Sequence, residues 1–143
     1  MSRIIARKVF GWGGTLVTLF IVLVLWLGEI YGGKIEGRFF PVVANTSIVE
    51  MQPVGPYSTR ILGQSEKLRA CPFDRIEWYI GTPSAYSVVP VLFEDRSTAR
   101  PAGPLDFGPW LLRMTAEEIK NRSFAVVFHR CHPFWLTETR FYP

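Results

Sequence analysis

The chain has 143 residues, the length of about one domain, and a formal net charge of +4 at pH 7. Three basic residues, Arg3, Arg7 and Lys8, precede a long apolar segment, whereas 13 basic and 12 acidic residues follow it. Because the charges after that segment are balanced and scattered, they exclude the basic face that a nucleic-acid-binding protein presents.

The apolar segment predicts a membrane anchor. Residues 9–28 carry no formal charge, and 16–27 consist almost wholly of Leu, Val, Ile and Phe. About 20 helical residues cross a hydrocarbon core of about 30 Å. Trp12 and Trp26 lie near the two ends of this segment, where indole rings favour the membrane interface. The basic tail at 1–8 indicates by the positive-inside rule that the N-terminus is cytoplasmic and the C-terminal part is outside.

A cleaved signal peptide is the alternative to an anchor. Its apolar region usually has about 7–15 residues and is followed by small residues at the cleavage site. Here the apolar run is longer, and mostly bulky residues follow it at 26–31. The sequence therefore favours an uncleaved single-pass protein of the cell membrane, the bacterial inner membrane, with a periplasmic or extracellular C-terminal domain.

The anchor also carries small residues at spacings of about four. Gly11, Gly14, Thr15 and Thr18 would let a second helix approach closely. Small residues are common in spanning helices in any case, so a homo-oligomer formed through the anchor helix is one of two readings of this pattern.

Four glycines follow the apolar run, at 28, 32, 33 and 37. Glycine at this density is typical of a flexible tether. We therefore expect a glycine-rich juxtamembrane linker at 29–37 and a folded domain at 38–143.

The part beyond the linker is predicted to be mainly β. All eleven prolines lie there, and they divide the chain into pieces too short for most helices. The pieces are rich in β-branched and aromatic residues, which indicates a small β-sandwich, immunoglobulin-like or similar. The expected strands are 39–43, 47–51, 57–62, 75–80, 86–93, 109–114, 124–130 and 135–142.

Two local patterns add detail near the C-terminus. Thr115 and Glu118 form a capping-box pattern, which predicts one short helix near 115–122 as a connection at one end of the sandwich. Residues 124–130 are apolar on both faces at the start, which indicates a central strand, and 135–142 read as its hairpin partner.

Cys71 and Cys131 are the only cysteines, and both follow the anchor. In an oxidising compartment they are expected to form a disulfide. Closing a loop of about 60 residues would stabilise the domain by about 4 kcal/mol in the chain-entropy model.

A metal site is the competing interpretation of the same region. His129, Cys131 and His132 combine a thiolate with two imidazoles, a set that suits copper or zinc. The cluster supplies at most three ligands, and an oxidised Cys131 could not donate a thiolate. We therefore expect a disulfide and no cofactor, with the metal-handling protein as the alternative.

No motif indicates catalysis. The chain has two histidines, no G-x-S-x-G elbow and no glycine-rich phosphate loop before a helix. The segment 94–107 reads as a long loop, and Phe93, Phe107 and Trp110 beside it are candidate contacts for a partner. The sequence thus predicts a non-catalytic accessory or assembly subunit whose β-domain binds another membrane or envelope protein.

Overall fold

The computed structural model describes the backbone of residues 2–94 and 100–143, and the side chains of 13–94 and 100–143. A long N-terminal helix leads into eight strands with one short helix between the sixth and the seventh. The elements are α1 Ser2–Phe39, β1 Val43–Gly55, β2 Ser58–Lys67, β3 Phe73–Thr82, β4 Ala85–Val89, β5 Val91–Phe93, β6 Gly103–Leu112, α2 Ala116–Arg122, β7 Ser123–His129 and β8 Thr137–Phe141.

The strands form two antiparallel sheets of four strands each, as the sequence predicts. The first sheet has the order β1-β2-β6-β5, and the second has the order β4-β3-β7-β8. Strand β7 is central and pairs with β8, so the predicted C-terminal hairpin is confirmed. The two sheets enclose a core centred on Trp78, Ile61 and Leu112, which are fully buried.

The short helix α2 connects the two sheets. The Thr115 hydroxyl accepts a hydrogen bond from the Glu118 backbone N–H at 3.2 Å, and the Glu118 carboxylate accepts from the Thr115 N–H at 2.9 Å. This is the predicted capping box, and it satisfies two N–H groups that would otherwise lack partners. Ile119 is fully buried in the core, so the helix closes one end of the sandwich.

The helix α1 is long and apolar enough to span a membrane. All of residues 13–27 are exposed, so the domain covers none of this apolar surface. A helix of 38 residues is about 57 Å long, well beyond the thickness of about 30 Å of a hydrocarbon core. The remainder of the helix therefore continues into the region of the β-domain.

Three predictions of local structure are wrong. The expected linker at 29–37 is helical, because α1 continues to Phe39. The expected strand at 39–43 is absent, since β1 begins only at Val43. The loop expected at 94–107 is shorter, because Gly103 already begins β6, and its residues 95–99 lie outside the described part of the chain. The physical reason for the first difference lies in the packing of the helix against β8.

Candidate functional site: the junction between helix and domain

A stripe of glycines on α1 lies against the chain segment that enters β8. A Cβ atom placed at Gly33 would lie 2.0 Å from the carbonyl oxygen of Leu136, and one at Gly37 would lie 1.7 Å from that of Glu138. Real Cβ atoms do not approach this closely. The glycines therefore allow the backbones of helix and strand to touch, in the way that small residues do between packed helices.

The same stripe accommodates one large ring. The indole of Trp135 lies over Gly28 and Gly32, since Cβ atoms there would be 3.5 Å and 2.6 Å from its nearest carbons. Each helical glycine costs about 1 kcal/mol relative to alanine in an isolated helix. Contact with Trp135 and the β8 backbone offsets that cost, and this is why the segment is helical rather than a flexible linker.

Glu36 lies beside these glycines and accepts hydrogen bonds from four side chains of the domain. Its Oε2 atom lies 2.8 Å from Nε2 of His132, 2.9 Å from Nε1 of Trp135 and 2.9 Å from Oγ1 of Thr137. Its Oε1 atom lies 2.8 Å from Nη1 of Arg69. A carboxylate only accepts, so each of these partners donates. The carboxylate, with a side chain only 13% exposed, thus connects α1 to three separate parts of the domain.

Further bonds continue this connection beyond the end of the helix. Arg69 also donates to the carbonyl oxygen of Phe40 at 3.0 Å, and the Leu68 N–H donates to that of Val42 at 2.8 Å. Val42 is fully buried. The chain between α1 and β1 is therefore bound to the domain instead of forming a free tether.

Sequence reasoning missed Glu36. A helical reading of 28–37 could have found it, because residues three and four apart share a helix face. Glu36 then falls on the same side as Gly32 and Gly33, as an acid within a stripe of small residues. Because glycine at this density is typical of a flexible linker, the sequence favours a linker over a helix here, and a helix face with Glu36 beside Gly32 and Gly33 is not considered.

The disulfide between Cys71 and Cys131 forms as predicted, across a separation of 60 residues. The neighbouring backbone reinforces it, since the Arg130 N–H donates to the carbonyl oxygen of Pro72 at 2.9 Å. Cys131 immediately precedes His132, so the bridge restrains the segment that supplies His132 and Trp135 to Glu36.

The structure does not bring His129, Cys131 and His132 together as metal ligands. Cys131 is in the disulfide, and His132 bonds to Glu36. The His129 ring is buried, with its edge against Phe73. Within 13–94 and 100–143, no group of three or more His, Cys, Asp or Glu residues is placed to hold a metal ion. With Cys131 in the disulfide, the predicted thiolate ligand is not present in this arrangement.

The three predicted partner contacts lie in one aromatic group. The ring centroids of Phe93 and Trp110 are 5.6 Å apart, and those of Phe107 and Trp110 are 4.6 Å apart. Phe107 is only 6% exposed and belongs to the interior, so it is not a surface anchor as expected, while Phe93 is 48% exposed.

The predicted membrane residues are only partly described. Trp26 is 57% exposed on α1. The side chains of Trp12, Arg3, Arg7 and Lys8 lie outside the described part of the chain.

Several strands form edges of the two sheets in the described domain. Strands β1 and β5 border the first sheet, and β4 borders the second beside β3. On β4, Val88 is 64% exposed and Tyr86 is 54% exposed, with the Tyr86 ring packed against Phe124. An ordered edge strand with exposed apolar side chains can pair with a strand of another chain.

No family model, curated protein or solved structure matches this chain.

Proposed function

We propose that this chain is a bitopic membrane protein, with a cytoplasmic N-terminus, whose extracytoplasmic β-domain acts as a protein-binding subunit of a membrane complex without catalysis of its own. The exposed apolar helix supports the membrane anchor. The basic residues Arg3, Arg7 and Lys8 before it support the orientation. The disulfide after it supports an oxidising compartment for the domain.

The observation that carries the proposal is the bonding of Glu36 to the domain. An enzyme domain that acts on a diffusing substrate needs only a flexible tether to remain at a membrane. Here Glu36 and the glycines bind the helix to β8, so the domain has a defined orientation relative to the helix. A defined orientation serves a binding face that must meet a partner held in the same membrane.

The edge of β4 is the binding face that we propose. Its exposed Val88 and Tyr86 stand on an open strand, and Tyr79 and Phe124 hold the Tyr86 ring in place. A partner that adds a strand to this edge would gain main-chain hydrogen bonds and bury both side chains.

The test is affinity capture of the tagged full-length chain from solubilised membranes, with the variant Val88→Lys and the control Val54→Lys. Val54 is also an exposed valine on an edge strand, but it lies on β1 in the other sheet. We expect a stoichiometric partner with the native chain and Val54→Lys, and its loss with Val88→Lys. Recovery of the chain as a monomer, or equal capture by both variants, would contradict the proposal.

To distinguish a second copy of this chain from a different protein, two differently tagged copies are expressed in the same cells, and co-capture of one with the other is measured. A homo-oligomer through the anchor is supported by Gly14, because a Cβ there would meet nothing within 4 Å. The Thr18 hydroxyl donates a hydrogen bond to the Gly14 carbonyl oxygen at 2.9 Å, so it needs no partner from another chain. The space beside Gly14 remains available for a second helix. Co-capture that Gly14→Leu abolishes would identify the second copy as the partner.

A further inference from the structure

A cavity of about 310 Å³ lies between the two sheets. Its walls are mostly aromatic and aliphatic, with Phe73 and Phe141 from one sheet and Phe107 and Trp110 from the other. Small-molecule sites have about this size, starting near 300 Å³, and they combine apolar walls with few polar groups. The cavity has this composition.

One charged residue of the cavity wall is Lys67, the last residue of β2. Its side chain is almost wholly inside the protein, since the residue is only 4% exposed. The ammonium donates one hydrogen bond, at 2.7 Å, to the carbonyl oxygen of Arg100. An ammonium has three donors. Among the described residues, no carboxylate lies within ion-pair distance of Lys67.

His129 lies in the same wall and is also buried, with an exposed fraction of 3%. Its Nδ1 atom has no hydrogen-bond partner among the described residues. Burial and the nearby charge of Lys67 lower the pKa of His129 to about 4, so the ring is neutral at pH 7. A buried polar atom without a partner is costly, and a ligand oxygen would satisfy it.

Among the residues that the structure describes, the charged side chains in the cavity wall are those of Lys67 and Arg100, and no acidic residue lines it. A buried ammonium without a counterion is unfavourable, and burial together with Arg100 lowers the pKa of Lys67. An anion placed beside Lys67 would remove this cost.

We propose that the cavity binds a small amphipathic carboxylate, with its acyl or aryl body between Phe73, Phe107 and Trp110 and its carboxylate beside the ammonium of Lys67. The apolar walls select the body of the ligand, and the ammonium selects its charge. This site is independent of the proposed edge of β4, because Val88 and Tyr86 do not line the cavity.

The position of the cavity is consistent with an acyl ligand. Phe73 pairs with His129, and His129 pairs with Thr137, so the cavity lies at the end of the second sheet that is next to Trp135. Trp135 packs over Gly28, where the apolar segment of α1 ends. The ligand site is thus at the end of the domain that faces the predicted membrane surface.

The test uses the full-length chain in phosphatidylcholine nanodiscs, titrated calorimetrically with octanoate and corrected with empty nanodiscs. Octanol and octylamine serve as probes with the same body but a neutral or cationic head. We expect one saturable site for octanoate and binding at least tenfold weaker for both other probes. Equal binding of octylamine and octanoate, or no saturable octanoate binding, would overturn the proposal.

Two variants assign the binding to this cavity. Lys67→Met keeps the apolar stem and removes the charge, and we expect it to weaken octanoate binding at least tenfold. Leu105→Trp fills the cavity from its β6 wall and should abolish binding even if Lys67→Met does not fold. Lys120→Met removes an exposed charge on α2 and is the matched control, for which we expect native affinity. Native affinity in Leu105→Trp would overturn the assignment.

A last arm separates two sources of an anion with an apolar body, a free acid and an anionic lipid, whose headgroup phosphate would lie beside Lys67 in place of the carboxylate. Nanodiscs that contain phosphatidylglycerol should compete with octanoate if the lipid is the source and should leave octanoate binding unchanged if it is the free acid. In either case Leu105→Trp must abolish the Lys67-dependent binding.

Discussion

The indole nitrogen of Trp135 lies 2.9 Å from Oε2 of Glu36, so a side chain near the C-terminus donates a hydrogen bond to the N-terminal helix. The same indole lies over Gly28 and Gly32. One residue therefore provides both a polar and an apolar contact between helix and domain. Because Glu36 and Trp135 are 99 residues apart in sequence, only the complete fold forms the junction.

Glu36→Gln should destabilise the domain and loosen the junction. The change removes the charge that accepts from Arg69, His132, Trp135 and Thr137, and hydrogen bonds to a charged group contribute about 1.5–3 kcal/mol each. We expect the free energy of unfolding to fall by about 2–3 kcal/mol in chemical denaturation.

The loosening can be measured by distance spectroscopy between nitroxides at Leu25→Cys on the helix and Tyr57→Cys on the domain, both exposed. The native chain has no free cysteine, so the labels are specific. We expect a narrow distance distribution that broadens with Glu36→Gln but not with the control Glu50→Gln, which lies exposed on β1. An unchanged distribution would show that Glu36 does not restrain the domain.

Gly37→Ala should also destabilise the junction, although alanine favours an isolated helix by about 1 kcal/mol. Its Cβ would meet the Glu138 carbonyl at 1.7 Å, so the helix and β8 must separate, at a cost of about 1–3 kcal/mol. The measurement is the midpoint of thermal unfolding. Gly13→Ala is the control, since its Cβ would meet nothing within 4 Å, and a lower midpoint in both variants would point to a general effect of alanine.

Reduction of the disulfide should lower the free energy of unfolding by about 4 kcal/mol, because it releases a loop of 60 residues in the unfolded chain. The double variant Cys71→Ser, Cys131→Ser should reproduce the effect without reductant. Denaturation with and without reductant measures the difference, and the double variant should no longer respond to reductant. Equal stability of the oxidised and reduced chains would contradict the prediction.

Stability should fall as the pH decreases from about 6.5 toward 4. The folded state binds a proton at His129 only near pH 4, since burial lowers the pKa to about 4 from its ordinary value of 6.5. Between pH 6.5 and 4 the unfolded state therefore binds up to one more proton than the folded state. As the pH falls through this window, the free energy of unfolding decreases by up to about 1.4 kcal/mol per pH unit.

The variant His129→Phe isolates this contribution, because phenylalanine retains an aromatic contact with Phe73 and does not titrate. Burial raises the pKa of Glu138, which opposes the trend, but Glu138 is present in both chains and cancels in the difference. Between pH 7.5 and 5.5, the free energy of unfolding of the native chain should fall relative to that of His129→Phe. A parallel pH dependence of the two chains would contradict the assignment.

Phe134 should lie at the membrane surface. It is 70% exposed and adjoins Trp135, which packs over the end of the apolar segment at Gly28. A nitroxide at Phe134→Cys should be more accessible to oxygen than to a polar nickel complex, as in the interface of a bilayer. The control Tyr57→Cys is 75% exposed at the turn between β1 and β2 and should show the opposite preference. The same preference at both positions would contradict this placement of the domain.

Much of the β-domain could be predicted because its signals are local. Seven of the eight expected strand segments share more than half of their residues with observed strands, and the capping box at Thr115 correctly predicts α2. The predicted segment 86–93 divides into β4 and β5 in different sheets, with the division at Pro90. A proline cannot donate to a strand ladder, and this explains the break.

The charge and hydropathy of the sequence by themselves determined the apolar helix, the near-neutral domain and the mainly β architecture, because these depend on residue composition and on alternation along the chain. Two cysteines in one domain also left a single possible pairing. Only the tertiary structure decided that the glycines of 28–37 form a packing stripe, that Glu36 is the acceptor for four side chains, and that Lys67 and His129 share a cavity. Each of these depends on groups distant in sequence, whose contacts change both the conformation of a glycine-rich segment and the environment of a charge.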